Sequence, residues 1–178
     1  NVNGLSDALI EDNSLYIGND PTSTTSTAQY NLAVGTTALD AITTGDYNTA
    51  MGYNALTAHT SGYGNTAVGY QSLLANTTGS ENTALGYQAG NVIVAGNQNV
   101  IIGRNANPSA AGGLNQIVIG KDATGVADHS VTLGNADVTA VYMAQDQGAT
   151  AYGATFKGST SLQTPLIEFT DGDDAITI

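Results

Sequence analysis

Short apolar runs in this chain end in glycine and return with a 17-residue period. The first three are Ser14–Gly18 (SLYIG), Asn31–Gly35 (NLAVG) and Asn48–Gly52 (NTAMG). The glycines that end successive runs form one column: Gly18, Gly35, Gly52, Gly69, Gly86, Gly103 and Gly120. An eighth run, Ser130–Gly134 (SVTLG), follows after a shorter 14-residue step. A fixed period of this kind predicts a repeat fold in which each unit stacks on its neighbour.

A second glycine column divides each repeat into two halves. Its members are Gly45, Gly62, Gly79, Gly96 and Gly113. Helical repeats are longer than this period, and two glycines with several β-branched residues per repeat disfavour a helix. We therefore predict an all-β solenoid over residues 14–134, with about eight coils, two short strands per coil and a rise of about 4.8 Å per coil.

The strand motif is apolar on both of its faces. Its second and fourth residues, such as Val100 and Ile102, share one face because side chains alternate along a strand. We assign this face to the interior of the coil. The third position is mostly alanine and is then expected to point outward: Ala33, Ala50, Ala67 and Ala84. A strand that is apolar on both faces is usually buried on both, so we expect a second copy of the chain to cover the outer face.

The charge balance narrows the possible partners. Three basic residues, Arg104, Lys121 and Lys157, stand against 15 acidic ones, and the net charge is -12. This disfavours binding to nucleic acid and to anionic membrane surfaces. No apolar run approaches the roughly 18 residues of a membrane-spanning helix, so no membrane insertion is expected. The first residues show no signal peptide, and the chain is expected to be an internal fragment or a processed product.

Asparagine is the first residue of five of these runs. These residues are Asn31, Asn48, Asn65, Asn82 and Asn99. Stacked asparagine amides can bond to one another and to turn backbone, so a structural ladder is predicted. The alternative is a repeated array that contacts a glycan.

Tyrosine follows the motif glycine in three successive repeats, at Tyr53, Tyr70 and Tyr87. We expect these rings to pack on one another or across a contact between copies, and a glycan contact is the alternative. Arg104 and Lys121 continue the column, and two stacked cations need an acid such as Asp122 or one from a neighbouring chain.

No catalytic constellation is visible. The two histidines, His59 and His129, lie in predicted turns and are expected to be solvent-exposed rather than metal ligands. There is no cysteine, and residues 171–174 (DGDD) resemble a turn more than a calcium loop. We predict no enzyme, no cofactor, and no catalytic or metal-binding residue. A polysaccharide-cleaving solenoid is left open, and an ice-binding solenoid is a remote option.

The two ends differ from the repeats. Residues 1–13 carry a weak helix signal behind Ser6 and Asp7 and are expected to form a cap or connector. Residues 135–178 are expected to form a β-rich neck or the start of the next fibre domain, with strands near 138–143 and 152–156.

The repeats resemble those of a known family. Residues 65–73 (NTAVGYQSL) are similar to the head repeats of trimeric autotransporter adhesins, the YadA-like heads, and SVTLG at 130–134 is close to their Ser-Val-Ala-Ile-Gly motif. The resemblance covers about residues 14–134 and implies a left-handed parallel β-roll with three chains around a threefold axis. The repeats here are three residues longer than the family's, which should enlarge one loop per coil.

The Asn-Thr-Ala-Val-Gly-Tyr runs and residues 131–143 look more like phage tail-fibre proteins. This resemblance implies a segment of a trimeric tail fibre in a virion, which mediates or spaces attachment to a host. Its partners would be its own copies, other tail proteins, and a host-surface glycan or protein. The alternative is a trimeric adhesin head on a bacterial cell surface. The family's binding residues are not confined to one motif, so none is carried over.

Overall fold

The structure, a computed structural model, describes residues 8–18, 21 and 26–138. These residues contain strands and turns but no helix, so the predicted all-β repeat fold is confirmed for them. The strands are β1 Ala8–Glu11, β2 Ser14–Ile17, β3 Leu32–Val34, β4 Thr49–Met51, β5 Thr66–Val68, β6 Thr83–Leu85, β7 Val100–Ile102, β8 Ile117–Ile119 and β9 Val131–Leu133.

All nine strands belong to one sheet, in chain order. From β2 to β9 the pairing is parallel, and each residue pairs with its counterpart one repeat later, as Ala50 does with Ala67. The last step joins Ile117 to Val131 and absorbs the shorter 14-residue spacing. The eight parallel strands therefore form a β-solenoid with seven coil-to-coil steps.

Residues 8–17 form a hairpin and not a helix. β1 pairs antiparallel with β2 through a turn at Asp12 and Asn13, whose φ angles are 46° and 60°. The helix expected within residues 1–13 is therefore wrong for residues 8–13. The edge of β2 already offers backbone partners, and extended residues 8–11 satisfy them.

Each described coil contains one strand and not the predicted two. Backbone hydrogen bonds still join coils elsewhere, for example Gln71 N to Tyr53 O at 2.9 Å and Gln88 N to Tyr70 O at 2.8 Å. Gln71 and Gln88 both have φ of 54°, which interrupts an extended conformation. The second side of the coil is consequently a stack of turns, with only isolated bridges such as Asn107 to Thr124.

The assignment of strand faces from the sequence is wrong. The third motif position points into the coil, and the following residues are fully buried: Tyr16, Ala33, Ala50, Ala67, Ala84, Ile101 and Val118. The second and fourth positions face outward, and Met51 and Leu85 are 42% and 48% exposed. Alanine fits the interior because the coil is narrow and its opposite wall already carries large side chains.

Side chains on the opposite wall of the coil compensate for the size of the residue at the third motif position. Ala67 is followed six positions later by the buried Leu73. Where the strand column changes to Ile101, the corresponding position is the smaller polar Asn107. At these levels a larger side chain on one wall of the coil is matched by a smaller one on the other wall. The interior therefore stays filled, as close packing requires.

The motif glycines hold successive coils in close contact. Gly69 has φ of +133°, and a Cβ there would overlap the backbone carbonyl of Gly86 in the next coil. The other glycine column is equally tight: a Cβ on Gly62 would meet the carbonyl oxygen of Gly79. Glycine is required at these positions because the backbones of neighbouring coils touch.

Candidate functional site

The asparagine column forms one buried ladder of hydrogen bonds. Asn65 is representative: its Nδ2 donates to Asn48 Oδ1 at 3.0 Å and to Gly79 O at 2.9 Å, and its Oδ1 accepts from Asn82 N at 3.0 Å. The five asparagines are at most 3% exposed, and Gln116 extends the column. A ligand outside the coil does not reach these amides in this arrangement.

The tyrosine column is an exposed stack. The centroids of Tyr53 and Tyr70 are 5.6 Å apart and those of Tyr70 and Tyr87 are 4.9 Å apart, with interplanar angles of 15° and 10°. The three side chains are 40–50% exposed. Both faces of Tyr70 are covered by its neighbours, so a sugar ring would find a free aromatic face only at the two ends of the stack.

The cations that continue this column share one acid. Arg104 Nη1 lies 3.5 Å from Asp122 Oδ1, and Lys121 Nζ lies 3.1 Å from Asp122 Oδ2. Asn105 Nδ2 also donates to Asp122 Oδ1 at 2.9 Å. The hydrogen bonds from Lys121 and then Asn105 lower the pKa of Asp122. The pairing of both cations with Asp122 is thus present, at an exposed site where such pairs stabilise little.

His59 is buried, contrary to the exposure expected from the sequence. It occupies an interior column between Ile42 and the later Asn76. Its Nδ1 lies 2.8 Å from Asn76 Oδ1 and its Nε2 lies 2.9 Å from Gly62 O. Burial lowers the pKa of His59, which favours the neutral imidazole at neutral pH. The ring fills part of the coil interior, where an external substrate does not contact it.

His129 is exposed, as expected, and its Nδ1 lies 3.1 Å from Asn115 Nδ2.

A further candidate surface is the outward face of the parallel strands, here named the outer strand strip. It consists of Leu15, Ile17, Leu32, Val34, Thr49, Met51, Thr66, Val68, Thr83, Leu85, Val100, Ile102, Ile117, Ile119, Val131 and Leu133. Every member is half-buried or exposed, and none is charged. The sequence had marked both strand faces as apolar, but it did not reveal which one the coil leaves in contact with water.

A shallow groove of about 520 Å³ opens at the N-terminal end of this strip. Ile10 of β1 and Tyr30 flank it, and Leu15 and Leu32 of the strip form part of its lining. Tyr30 stacks on Tyr47 at 5.0 Å and is 49% exposed. Sequence reasoning missed this groove because it depends on the hairpin formed by β1.

In the part of the chain that the structure describes, no group of three or more His, Cys, Asp or Glu side chains could hold a metal ion. The same residues include no helix that is long and apolar enough to cross a membrane. Residues 171–174 and the strands expected near 138–143 and 152–156 lie outside the described residues, apart from Val138.

No protein-family model, curated protein or solved structure matches this chain.

Proposed function

We propose that this chain is a structural segment of a surface fibre, in which copies of the chain pack side by side through the outer strand strip. The observation that carries the proposal is the uncharged, largely aliphatic face along eight consecutive strands. Eight strands of three residues make a face of roughly 350 Å² before side-chain relief is counted. An uncharged, largely aliphatic patch of this kind on a monomer commonly marks an interaction site.

The finer features of the proposal come from the resemblance of the repeats. They comprise a left-handed winding and three copies around a common axis. The fibre would belong to a bacteriophage tail, where the segment mediates or spaces attachment to the host surface and contacts other tail proteins. The solenoid supports this role because a stack of identical steps sets a length and a stiffness. No catalytic step and no cofactor form part of the proposal.

The second candidate is the head of a trimeric adhesin on a bacterial surface. It has the same strip and the same expected assembly, and the genomic context distinguishes the two. A membrane-anchor domain encoded downstream in the same gene would favour the adhesin. Neighbouring genes for tail assembly would favour the phage fibre.

The assembly is tested by a charge placed on each face of one strand. In β5, Val68 faces outward and Ala67 faces the interior. We expect Val68→Glu to keep the β-rich circular dichroism spectrum and to reduce the mass measured by light scattering to that of a single chain. We expect Ala67→Glu to unfold the coil instead, because it buries a charge without a partner.

Wild-type chain should have a mass of three times 18.0 kDa under this proposal. A stable monomer would contradict it, as would a Val68→Glu variant that keeps the wild-type mass.

A further inference from the structure

The outer strand strip repeats in every coil, so the strip by itself does not fix the axial register between neighbouring copies. Neighbouring copies could slide along each other by one coil, about 4.8 Å, and meet nearly the same surface. Such slippage is suppressed where the contact contains a feature that fits at only one position. The outer strand strip contains one such feature in its middle three coils.

That feature is a block of three threonines at the second motif position. Thr49, Thr66 and Thr83 lie on β4, β5 and β6, and they pair with one another directly along the sheet. The same position is leucine on β2 and β3, and valine or isoleucine on β7, β8 and β9. Polar side chains therefore occupy three adjacent levels of an otherwise aliphatic column.

The hydroxyl groups of this threonine block lack hydrogen-bond partners among the residues that the structure describes. All three residues are half-buried, yet their Oγ1 atoms form no hydrogen bond with any other described residue. Another threonine column of the same coils behaves differently. Its hydroxyls are used internally: Thr43 donates to Thr60 O, Thr60 to Thr77 O, and Thr77 to Val94 O.

We infer that the threonine block faces the same block of a neighbouring parallel copy and fixes the axial register by hydroxyl–hydroxyl hydrogen bonds between chains. The inference rests on the self-association proposed above. A threonine hydroxyl both donates and accepts, so identical residues at one level satisfy one another. A partner must also match the coil spacing over seven steps and carry polar groups at the same three heights, and a second copy meets both conditions.

Slippage by one coil would carry a penalty at each end of the block. One threonine would then face the level of Leu32 and another the level of Val100, which leaves hydroxyls against aliphatic side chains. A single polar residue in the apolar seam of a coiled coil specifies register in the same way, at some loss of stability. The threonine block is therefore expected to weaken the association while it makes the alignment unique.

The register can be read by disulfide trapping, because the chain has no cysteine. Met51→Cys and Val68→Cys place single thiols on adjacent levels of the strip without altering the threonines. When the two variants are assembled together, the thiol at position 51 should form a disulfide with position 51 of a neighbouring chain. Mixed disulfides between position 51 and position 68 should be rare, because a disulfide does not span an extra axial step of about 4.8 Å.

The inference is then tested by removing the hydroxyls. The triple variant Thr49→Val, Thr66→Val and Thr83→Val is nearly isosteric and should keep the assembled mass. In this background we expect the ratio of mixed to same-level disulfides to rise about fivefold or more. The matched control replaces Thr43, Thr60 and Thr77 by valine, which should lower thermal stability and leave the disulfide ratio unchanged.

The outcomes separate the two levels of the proposal. Wild-type chain that stays monomeric would overturn both the fibre assembly and the register. An assembled chain whose introduced thiols never cross-link would reject the strip as the contact. Assembled chains with the same disulfide ratio before and after the valine substitutions would overturn only the role of the threonine block.

Discussion

The asparagine and tyrosine columns share the same 17-residue period but have opposite surroundings. Asn65 is fully buried and bonded to the coils on either side, whereas Tyr70 is 40% exposed and is held in its column by stacking. The asparagine amides satisfy backbone groups that have no water available to them. The tyrosines cover the surface of a corner that is already hydrogen-bonded through its backbone.

This difference shows that the 17-residue period indicates which residues stack, but not how much each stack contributes to stability. A buried ladder that satisfies backbone groups is required for folding, because unpaired buried groups are expensive. An exposed stack contributes less to stability, so substitutions in it are expected to cost less. Substitutions in the two columns and at a motif glycine test this contrast.

Asn65→Ala should have the largest effect on stability. It removes the partners of two buried backbone groups, Asn82 N and Gly79 O. We expect the free energy of unfolding to fall by about 4 kcal/mol, given roughly 1–3 kcal/mol for each unpaired group. Urea unfolding followed by circular dichroism, at a fixed chain concentration, measures this change. A loss below that of Tyr70→Ala would contradict the contrast between the two columns.

Gly69→Ala should be the next most damaging change. The added methyl group would overlap the carbonyl of Gly86, and φ of +133° is unfavourable for alanine. We expect a loss of about 3 kcal/mol from strain and overpacking together. Gly112→Ala is the matched control, since a Cβ there meets nothing within 4 Å. Thermal melts of both variants should separate them clearly, and equal melting temperatures would refute the close approach of the coils.

Tyr70→Ala should have a modest effect. It removes two stacked contacts, each worth about 0.5–1.5 kcal/mol, so we expect a loss of about 1–2 kcal/mol. Tyr63→Ala is a suitable control, because Tyr63 is 52% exposed and stacks on no described aromatic residue. Denaturant unfolding of the pair measures the stacking term. Equal losses in the two variants would show that stacking adds nothing.

The buried His59 predicts a dependence of stability on pH. Burial lowers its folded-state pKa below the ordinary value of 6.5, so the unfolded chain binds the proton more tightly. Its contribution is complete above pH 6.5 and is lost as the pH falls from there through the folded-state pKa. The groups facing the ring are the uncharged Asn76, Gly62 and Asn65.

His59→Leu should flatten the stability profile between pH 7 and pH 5. Urea midpoints at several pH values provide the measurement. An unchanged slope in His59→Leu would show that other groups control the acid sensitivity.

The coil period and the parallel stack followed from the sequence, because a repeated glycine column leaves few other folds. The asparagine amides were also expected to bond along the stack, and Arg104 and Lys121 to pair with an acid such as Asp122 or one from a neighbouring chain, since stacked like charges require such a partner. The number of strands per coil was not predictable. Residues such as Gln71 adopt a left-handed backbone conformation, and their side chains give no indication of it in the sequence.

The burial of His59 was missed for a similar reason. A polar residue in a turn is normally exposed, but here it occupies a core column shared with Ile42 and Ile93, and its two nitrogens lie within hydrogen-bond distance of Asn76 Oδ1 and Gly62 O. The hairpin at residues 8–17 was missed because the pairing of β1 depends on the free edge of β2.

The sequence alone determined that the chain forms a stack of coils with a 17-residue period and an apolar strand in each. Only the tertiary structure decided which strand face is the inner one. Three apolar residues in a row make the alternation ambiguous, and the choice depends on the opposite wall of the coil. Large side chains such as Leu73 fill that wall, so the interior accepts alanine at Ala67 and leaves Val68 and the rest of the outer strand strip facing water.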